Sequence, residues 1–322
     1  MVKPLGKNLR IIEKKTINKL MVFGFIFGKS QPKKKPVEYK PLERSLRQII
    51  LNTLGNRGLP AMPANAQKAF AISTNPNTDL KDLQEVIESD EALSSRILKI
   101  SNSVYYDRGK SSKTVAEALT IIGLAEAKTF LSSTYLNQFF SQSFGVRALL
   151  WHHDIAVAIL AKWLSEVFQL KNSELYFLAG LMHDIGKIIL HIRLGPDYEK
   201  IFERAGTVGF LKAESDVFPF DHTEVGVLIA EEWKFGEELR SAIQNHHKQD
   251  LEPLTIEGIT QLADLTAHAL GLGHPRGFFG LQEQSKKQLE SFQELLSKQF
   301  GSTSDYLKQA SQCYADLYDL YN

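Results

Sequence analysis

The chain has 322 residues, 43% hydrophobic and 23% charged, with a formal net charge of +1. That length supports a substantial core in one or two domains, and the composition is that of an ordinary globular protein. The single cysteine, Cys313, excludes a disulfide framework and a cysteine zinc site; it reads as a packed thiol in a reducing, cytoplasmic setting.

The charge is unevenly spread. Residues 1–40 hold eleven Lys/Arg and two Glu, a net of +9, which leaves 1 − 9 = −8 for the remainder. The globular part therefore offers no bulk attraction to nucleic acid, and no nucleic-acid partner is expected. Residues 1–40 read as a basic disordered tail, or as an upstream extension where translation starts at Met21. A sharper reading is weak membrane-surface contact, with Phe23, Phe25, Ile26 and Phe27 entering lipid beside Lys33, Lys34 and Lys35. No apolar run approaches the ~20 residues of a membrane-spanning helix. A lysine cluster stands where a signal peptide would carry a small-residue cleavage site.

From about residue 41 the apolar spacing is helical. Leu42, Leu46, Ile49 and Ile50 form one stripe, and Leu80, Leu83, Val86 and Ile87 another. Thr114 with Glu117 has capping-box spacing before Ala118, Leu119, Ile121 and Ile122. Asp221 with Glu224 repeats it before Val225, Val227, Leu228 and Ile229. Alternating strand patterns are absent, so the fold class is all-α. Residues 41–145 form an N-terminal helical lobe with few groups suited to chemistry. Residues 146–275 carry every histidine. Residues 276–322 read as C-terminal helices broken near Gly301–Ser304, with Leu289, Phe292 and Leu296 facing inward.

Five stretches concentrate histidine and aspartate: Trp151-His152-His153-Asp154, His183-Asp184-Ile185-Gly186-Lys187, Asp221-His222-Thr223-Glu224, Asn245-His246-His247 and Leu262-Ala263-Asp264-Leu265. Residues 177–190 are apolar almost all round and read as a buried helix. An ionised Asp184 there needs a partner, and a cation satisfies both it and His183. A hydrogen-bonded core pair would read the same way in isolation; the other four stretches point to a metal. Lys187, four residues after His183, projects from the same side and is placed to hold a phosphate oxygen. His222 falls at a helix N-terminus, which disfavours imidazolium and favours the neutral form that a metal needs. Asp264 sits on another apolar helix. Four helices thus offer inward-facing ligands, as in bundle metal sites. His152, His191, His268 and His274 fall outside the pattern and read as surface or packing residues. Trp163 and Trp233 read as core.

With those residues stated, the chain resembles the HDOD family, bacterial relatives of the HD-domain phosphohydrolases, over roughly residues 45–270. The first half of the resemblance rests on Leu59-Pro60-Ala61-Met62-Pro63, Ile87-Glu88-Ser89-Asp90-Glu91-Ala92-Leu93, Ile100-Ser101-Asn102-Ser103 with Tyr105-Tyr106, and Ala116 to Leu124. The second rests on Leu150-Trp151-His152-His153, the His183–Lys187 segment, Phe220-Asp221-His222 and Ala242 to His247. The resemblance implies a two-lobe helical HDOD architecture with a C-terminal HD-like lobe, and a role in bacterial signalling. The HD hydrolases imply His153, His183, Asp184 and Asp264 as a basic metal set. Their two-metal subgroup adds His222, His246 and His247, and so implies one or two divalent transition-metal ions: Fe, Mn or Zn. The chain departs from that subgroup at Lys248, where a glutamate is expected, and lacks the Gly-Tyr-Pro segment after it. This counts against cyclic di-GMP as substrate.

Two functions follow. The first is a regulatory module that binds a signalling protein or a nucleotide ligand around a retained metal site. The second is a metal-dependent phosphohydrolase of nucleotides or cyclic dinucleotides, with Asp184 and Lys187 as its catalytic residues.

Overall fold

The computed structural model describes residues 39–321 apart from 56–57, 76, 104, 107–110, 141 and 143. The readings of the basic N-terminus as tail or surface anchor lie outside the described residues. The described part belongs to one compact unit, and it contains helices and turns with no strand among the described residues. The all-α expectation holds.

Six helices come first: α1 (Arg44–Leu54), α2 (Ala64–Thr74), α3 (Leu80–Glu88), α4 (Glu91–Ser101), α5 (Val115–Ile122) and α6 (Leu124–Phe140). Side chains of Asp79, Asp90 and Thr114 cap α3, α4 and α5, with complete capping boxes at Asp79–Asp82 and Thr114–Glu117. Each box satisfies backbone N–H groups that a helix start would otherwise leave open.

Eight helices carry the histidines: α7 (Val146–Val167), α8 (Ser173–Met182), α9 (Ile185–Leu194), α10 (Pro196–Val208), α11 (Phe210–Ser215), α12 (His222–Glu232), α13 (Glu237–Asn245) and α14 (Ile256–Leu270). Then come α15 (Phe279–Gln288), a 3₁₀ turn (Leu289–Phe292), α16 (Gln293–Phe300) and α17 (Thr303–Tyr321). The break expected near Gly301 separates α16 from α17; the 3₁₀ turn adds a second interruption. Leu289, Phe292 and Leu296 are buried as expected.

Helix α7 is the centre of the packing. It is buried on nearly every side from Leu150 to Ser165 and is flanked by α8, α14 and α17. Alanines at 156, 158 and 161, all fully buried, let neighbours come close. Gly180 of α8 lies against the α7 backbone: a Cβ there would sit 2.7 Å from the Val157 carbonyl oxygen. The C-terminal helix is anchored from within, with Tyr306 bonded to Thr266 at 2.5 Å and Tyr321 donating to Glu126 at 2.5 Å.

The apolar stretch 177–190 is buried as read, but it is two helices rather than one. Met182 ends α8, Ile185 begins α9, and His183 and Asp184 form the joint. Successive residues of one helix diverge by about 100°. The joint lets two adjacent side chains face one centre. Ser173–Leu194, taken as one stretch, has the length and apolarity of a membrane span, but 78% of its most apolar window is buried inside the protein.

Helices α9 and α12 meet at Gly186. A Cβ at that position would lie 1.9 Å from the His222 carbonyl oxygen. This contact sets Asp184 beside His222. Gly186→Ala is therefore expected to push the two helices apart, at about 1–3 kcal/mol or more. That is a fall of several degrees in Tm, readable in a thermal melt followed by circular dichroism. An unchanged melt would show that the helices are not held at this spacing.

Candidate metal centre

His153 comes from α7, His183 and Asp184 from the α8–α9 joint, His222 from the first position of α12, His246 and His247 from the end of α13, and Asp264 from α14. The structure brings all of them together. His153 Nε2 lies 3.1 Å from Asp264 Oδ1 and 3.8 Å from Asp184 Oδ2. His183 Nε2 lies 3.3 Å from Asp184 Oδ2 and 3.7 Å from Asp264 Oδ1. On the other side of Asp184, Oδ1 lies 3.2 Å from His222 Nε2 and 3.6 Å from His246 Nε2. His247 Nε2 lies 3.0 Å from His222 Nε2, and its Nδ1 lies 3.8 Å from Asp264 Oδ2.

These atoms fall into overlapping groups whose members lie within 4.8 Å of one another: Asp184, His222, His246 and His247; His153, His183 and Asp184; and His183, His246 and Asp264. Donors bound at ~2.1 Å to one ion stand about 3.0–3.4 Å apart, so the spacing is close to that of a ligand set. Asp184 stands between the groups with one oxygen toward each.

The outer nitrogens fix the tautomers. His153 Nδ1 donates to Leu272 O at 3.1 Å, His183 Nδ1 to Gly180 O at 2.7 Å and His246 Nδ1 to Ile243 O at 2.9 Å. His222 Nδ1 donates to Glu214 Oε2 at 2.7 Å. A carbonyl or carboxylate oxygen only accepts, so each Nδ1 carries the hydrogen. A ring that carries no second proton then turns its Nε2 lone pair inward, toward carboxylate oxygens. Lone pairs facing lone pairs in a dry interior require a cation or a proton between them. Among the buried atoms without a hydrogen-bond partner are His183 Nε2, His246 Nε2, Asp184 Oδ1 and Asp264 Oδ2. The His/Asp cluster fits a metal on this observation.

The titration behaviour follows from the same crowding. Burial opposes charge on His183, but Asp184 and Asp264 outweigh it and raise its pKa to about 10. Burial, and then His268, hold His153 down to about 4. Burial works against ionised Asp184, yet His183 and Lys187 hold its carboxyl well below the usual range. Asp264 is likewise held low against burial, chiefly by His268 and His153. Burial lowers His246 and His247.

Lys187 is fully buried. Its ammonium pairs with Asp184 and lies 3.8 Å from the Phe210 ring centroid. In this position it neutralises Asp184 at Oδ2, the oxygen that also faces His153 and His183. His152 is half-buried against Tyr314 and Tyr318, in keeping with a packing role.

Several residues in the site escaped the sequence reading. His268 and His274, expected at the surface or in packing, border the cluster: His268 Nε2 is 2.9 Å from Asp264 Oδ1, and His268 Nδ1 is 2.6 Å from His274 Nε2. The spacing of four from Asp264 to His268 was the available signal. Glu214 is fully buried; it also accepts from the His222 backbone N–H at 2.9 Å and from the Tyr198 hydroxyl at 2.6 Å. Asp154 is buried with both carboxylate oxygens unpartnered, and burial pushes its pKa well above the usual range. No sequence signal marked Glu214 as a buried acid.

Residues 59–249 match the HDOD domain family, and the chain belongs to it. Asp264 lies beyond the matched range. The structure resembles an HDOD domain protein of unknown function from Geobacter sulfurreducens, with a TM-score of 0.62 at 20% identity, covering 77% of this chain and 93% of that one. It also resembles a protein from Shewanella amazonensis SB2B proposed to be a metal-dependent phosphohydrolase, with a TM-score of 0.59 at 22% identity, covering 86% and 98% of the two chains. At these identities the likeness establishes the fold. By sequence, an uncharacterised protein of Treponema pallidum (strain Nichols) is 23% identical over 269 residues, covering 79% of this chain; the chain spans about half that relative's length, 49%.

Two predictions follow from this geometry. Glu214→Ala strands the His222 and Tyr198 donors, costing about 1–3 kcal/mol, and frees the His222 ring, which lowers metal affinity by about 10–100-fold. Equilibrium dialysis against Zn²⁺ checks the second effect; wild-type affinity would show that Glu214 does not orient a ligand. The other prediction concerns pH. His183, raised from 6.5 to about 10, lends stability below pH ~6.5 that is lost as pH climbs toward 10. His153, lowered from 6.5 to about 4, lends stability above pH ~6.5 that is lost as pH falls toward 4. A metal on His183 replaces its proton. The Tm difference between metal-loaded and chelator-treated protein is therefore expected to widen from pH 6.5 to 9. A constant difference would remove His183 from the ligand set.

Proposed function

We propose that this HDOD protein is a regulatory module built around a buried metal centre, and that it acts through binding a signalling protein or a nucleotide ligand in the cytoplasm. The observation that carries this reading is closure. His153, His183, Asp184, Lys187, His222, His246 and Asp264 are at most 1% exposed, and only the His247 side chain, at 21%, reaches solvent. Catalytic metal sites keep a coordination position open to water and substrate, whereas structural sites are closed.

The ligands proposed for one ion are His153, His183, Asp184 and Asp264. Those for a second are Asp184, His222, His246 and His247. A divalent ion bound there (Fe, Mn or Zn) supplies positive charge to the core and, in an open site, would acidify a bound water. Asp184 joins the two groups, Lys187 balances its charge, and Glu214 holds His222. The binding face has its own candidate away from the cluster. A cavity of about 1020 Å³ is lined from α2, α6, the start of α8 and the α12–α13 turn, and it includes none of the ligand residues. Helices α8 and α13 start at that cavity, with Leu175 and Leu239 in its wall, and end at His183 and His246. They offer a mechanical link between an occupant and the centre.

A second reading is a metal-dependent phosphohydrolase with Asp184 and Lys187 as its catalytic residues. The completeness of the ligand groups favours it. A screen of nucleotides and cyclic dinucleotides with added Mn²⁺ or Fe²⁺, controlled by Asp184→Ala, separates the two. The regulatory reading expects retained metal in the wild type and no turnover above the control. Turnover that Asp184→Ala abolishes would replace it with the hydrolase. Elemental analysis and melts complete the test: chelator should lower the wild-type Tm and leave Asp184→Ala unchanged, because the variant has no ion to lose.

A further inference from the structure

His268 and His274 sit beside the centre, and their chemistry differs from that of the ligand histidines. His268 is four residues after Asp264 on α14, so the two share a face. Its Nε2 is 2.9 Å from Asp264 Oδ1, and its Nδ1 is 2.6 Å from His274 Nε2. Two nitrogens on one ion at ~2.1 Å would stand about 3.0–3.4 Å apart. The 2.6 Å spacing is therefore a hydrogen bond, not a chelate. The two ring planes are nearly parallel, at 22° with centroids 4.7 Å apart.

The donor to Asp264 is fixed. Asp264 is ionised and only accepts, so His268 Nε2 carries a hydrogen and donates it. The contact between His268 Nδ1 and His274 Nε2 holds one hydrogen between the two rings. His268 thus presents a hydrogen-bearing Nε2 to Asp264, whereas His153, His183, His222 and His246 donate outward through Nδ1. One residue range holds both sides. In the turn at 271–274, Leu272 O accepts from His153 Nδ1, while His274 holds His268. Gly273, at φ +77°, is pressed against α7: a Cβ there would lie 2.4 Å from the His153 backbone nitrogen. That turn lies outside the matched family range.

We propose that His268 is a positioning residue for Asp264, that His274 fixes the orientation of the His268 ring, and that the turn at 271–274 orients His153 and Asp264 together as adjacent ligands of one ion. This rests on the metal reading given above. With one lone pair of Oδ1 committed to His268, the carboxylate plane is fixed, with Oδ1 facing His153 and His183 and Oδ2, which has no hydrogen-bond partner, facing His247.

The test uses the full-length protein stripped of metal and titrated with Co²⁺, whose visible spectrum reports ligand geometry, with Zn²⁺ competition for affinity. His268→Leu removes the donor. His268→Gln restores an N–H near the position of Nε2. His274→Leu leaves His268 in place but frees its ring to turn. Wild type is expected to bind Co²⁺. His268→Leu is expected to lose about 10–100-fold in affinity and to shift the Co²⁺ bands. His268→Gln should stay within about threefold of wild type, and His274→Leu should fall between. Metal-free melts of each variant provide the folding control, and His274→Leu with His268→Gln carries the test should His268→Leu not fold. Wild-type affinity and spectrum in both His268→Leu and His274→Leu would overturn the proposal, as would equal losses in His268→Leu and His268→Gln. Failure of wild type itself to bind Co²⁺ or Zn²⁺ would instead overturn the metal reading beneath it.

Discussion

Imidazole lone pairs and carboxylate oxygens face each other inside a space nearly closed to water, and the surrounding fold is arranged to hold them there. Four rings donate outward through Nδ1 to Leu272, Gly180, Ile243 and Glu214, so their inner nitrogens cannot all relieve one another by hydrogen bonding. Protons answer this only in part. Burial and His268 keep His153 neutral at ordinary pH, whereas the aspartates draw a proton onto His183. A divalent ion satisfies several inward atoms at once, which no single proton does. Lys187 takes a share of the charge by pairing with Asp184 at Oδ2.

The backbone devices serve that arrangement. The joint between α8 and α9 turns His183 and Asp184 to one side, which an unbroken helix would not do. Gly186 brings α9 within backbone contact of α12, and Gly180 does the same for α8 against α7. The capping box at Asp221 and Glu224 fixes the start of α12, so His222 enters the site at a helix N-terminus, where Glu214 accepts both its backbone and ring hydrogens. Buried alanines at 156, 158 and 161 let neighbours approach α7 between its larger buried side chains. Stability and site geometry thus depend on the same small residues.

The outer parts bear on the centre indirectly. Tyr39 and Arg47 both pair with Glu231 of α12, and Gln244, two residues before His246, exchanges two hydrogen bonds with the Lys40 backbone. The segment that leads into α1 is therefore tied to the two helices that carry His222 and His246. At the other end, Tyr306 and Tyr321 fasten α17 to α14 and α6. These ties hold the shell of helices around α7.

Much of this was legible in the chain itself. The 3.6-residue apolar spacing, the capping signals at Thr114 and Asp221, and a carboxylate at Asp184 inside an apolar run are local properties, and local physics fixes helix, start and buried acid. The five His/Asp stretches, Asp264 among them, marked the other candidates, and the resemblance to the HDOD family implied how they group into one- and two-metal sets. Other features depended on groups far apart in sequence. Glu214 carried no signal in the sequence, and Tyr198 and His222 meet it only in the packed fold. His268 and His274 looked incidental until α14 and the turn at 271–274 set them against Asp264 and α7. The joint at His183–Asp184 was hidden because an unbroken apolar run reads as one helix, whereas the demand that both side chains face one centre arises only when α7, α12, α13 and α14 converge. Residue type and periodicity determine which groups are expensive to bury; only the packed fold decides which groups meet them, because that choice is made by close approaches at glycines and by hydrogen bonds between residues tens of positions apart.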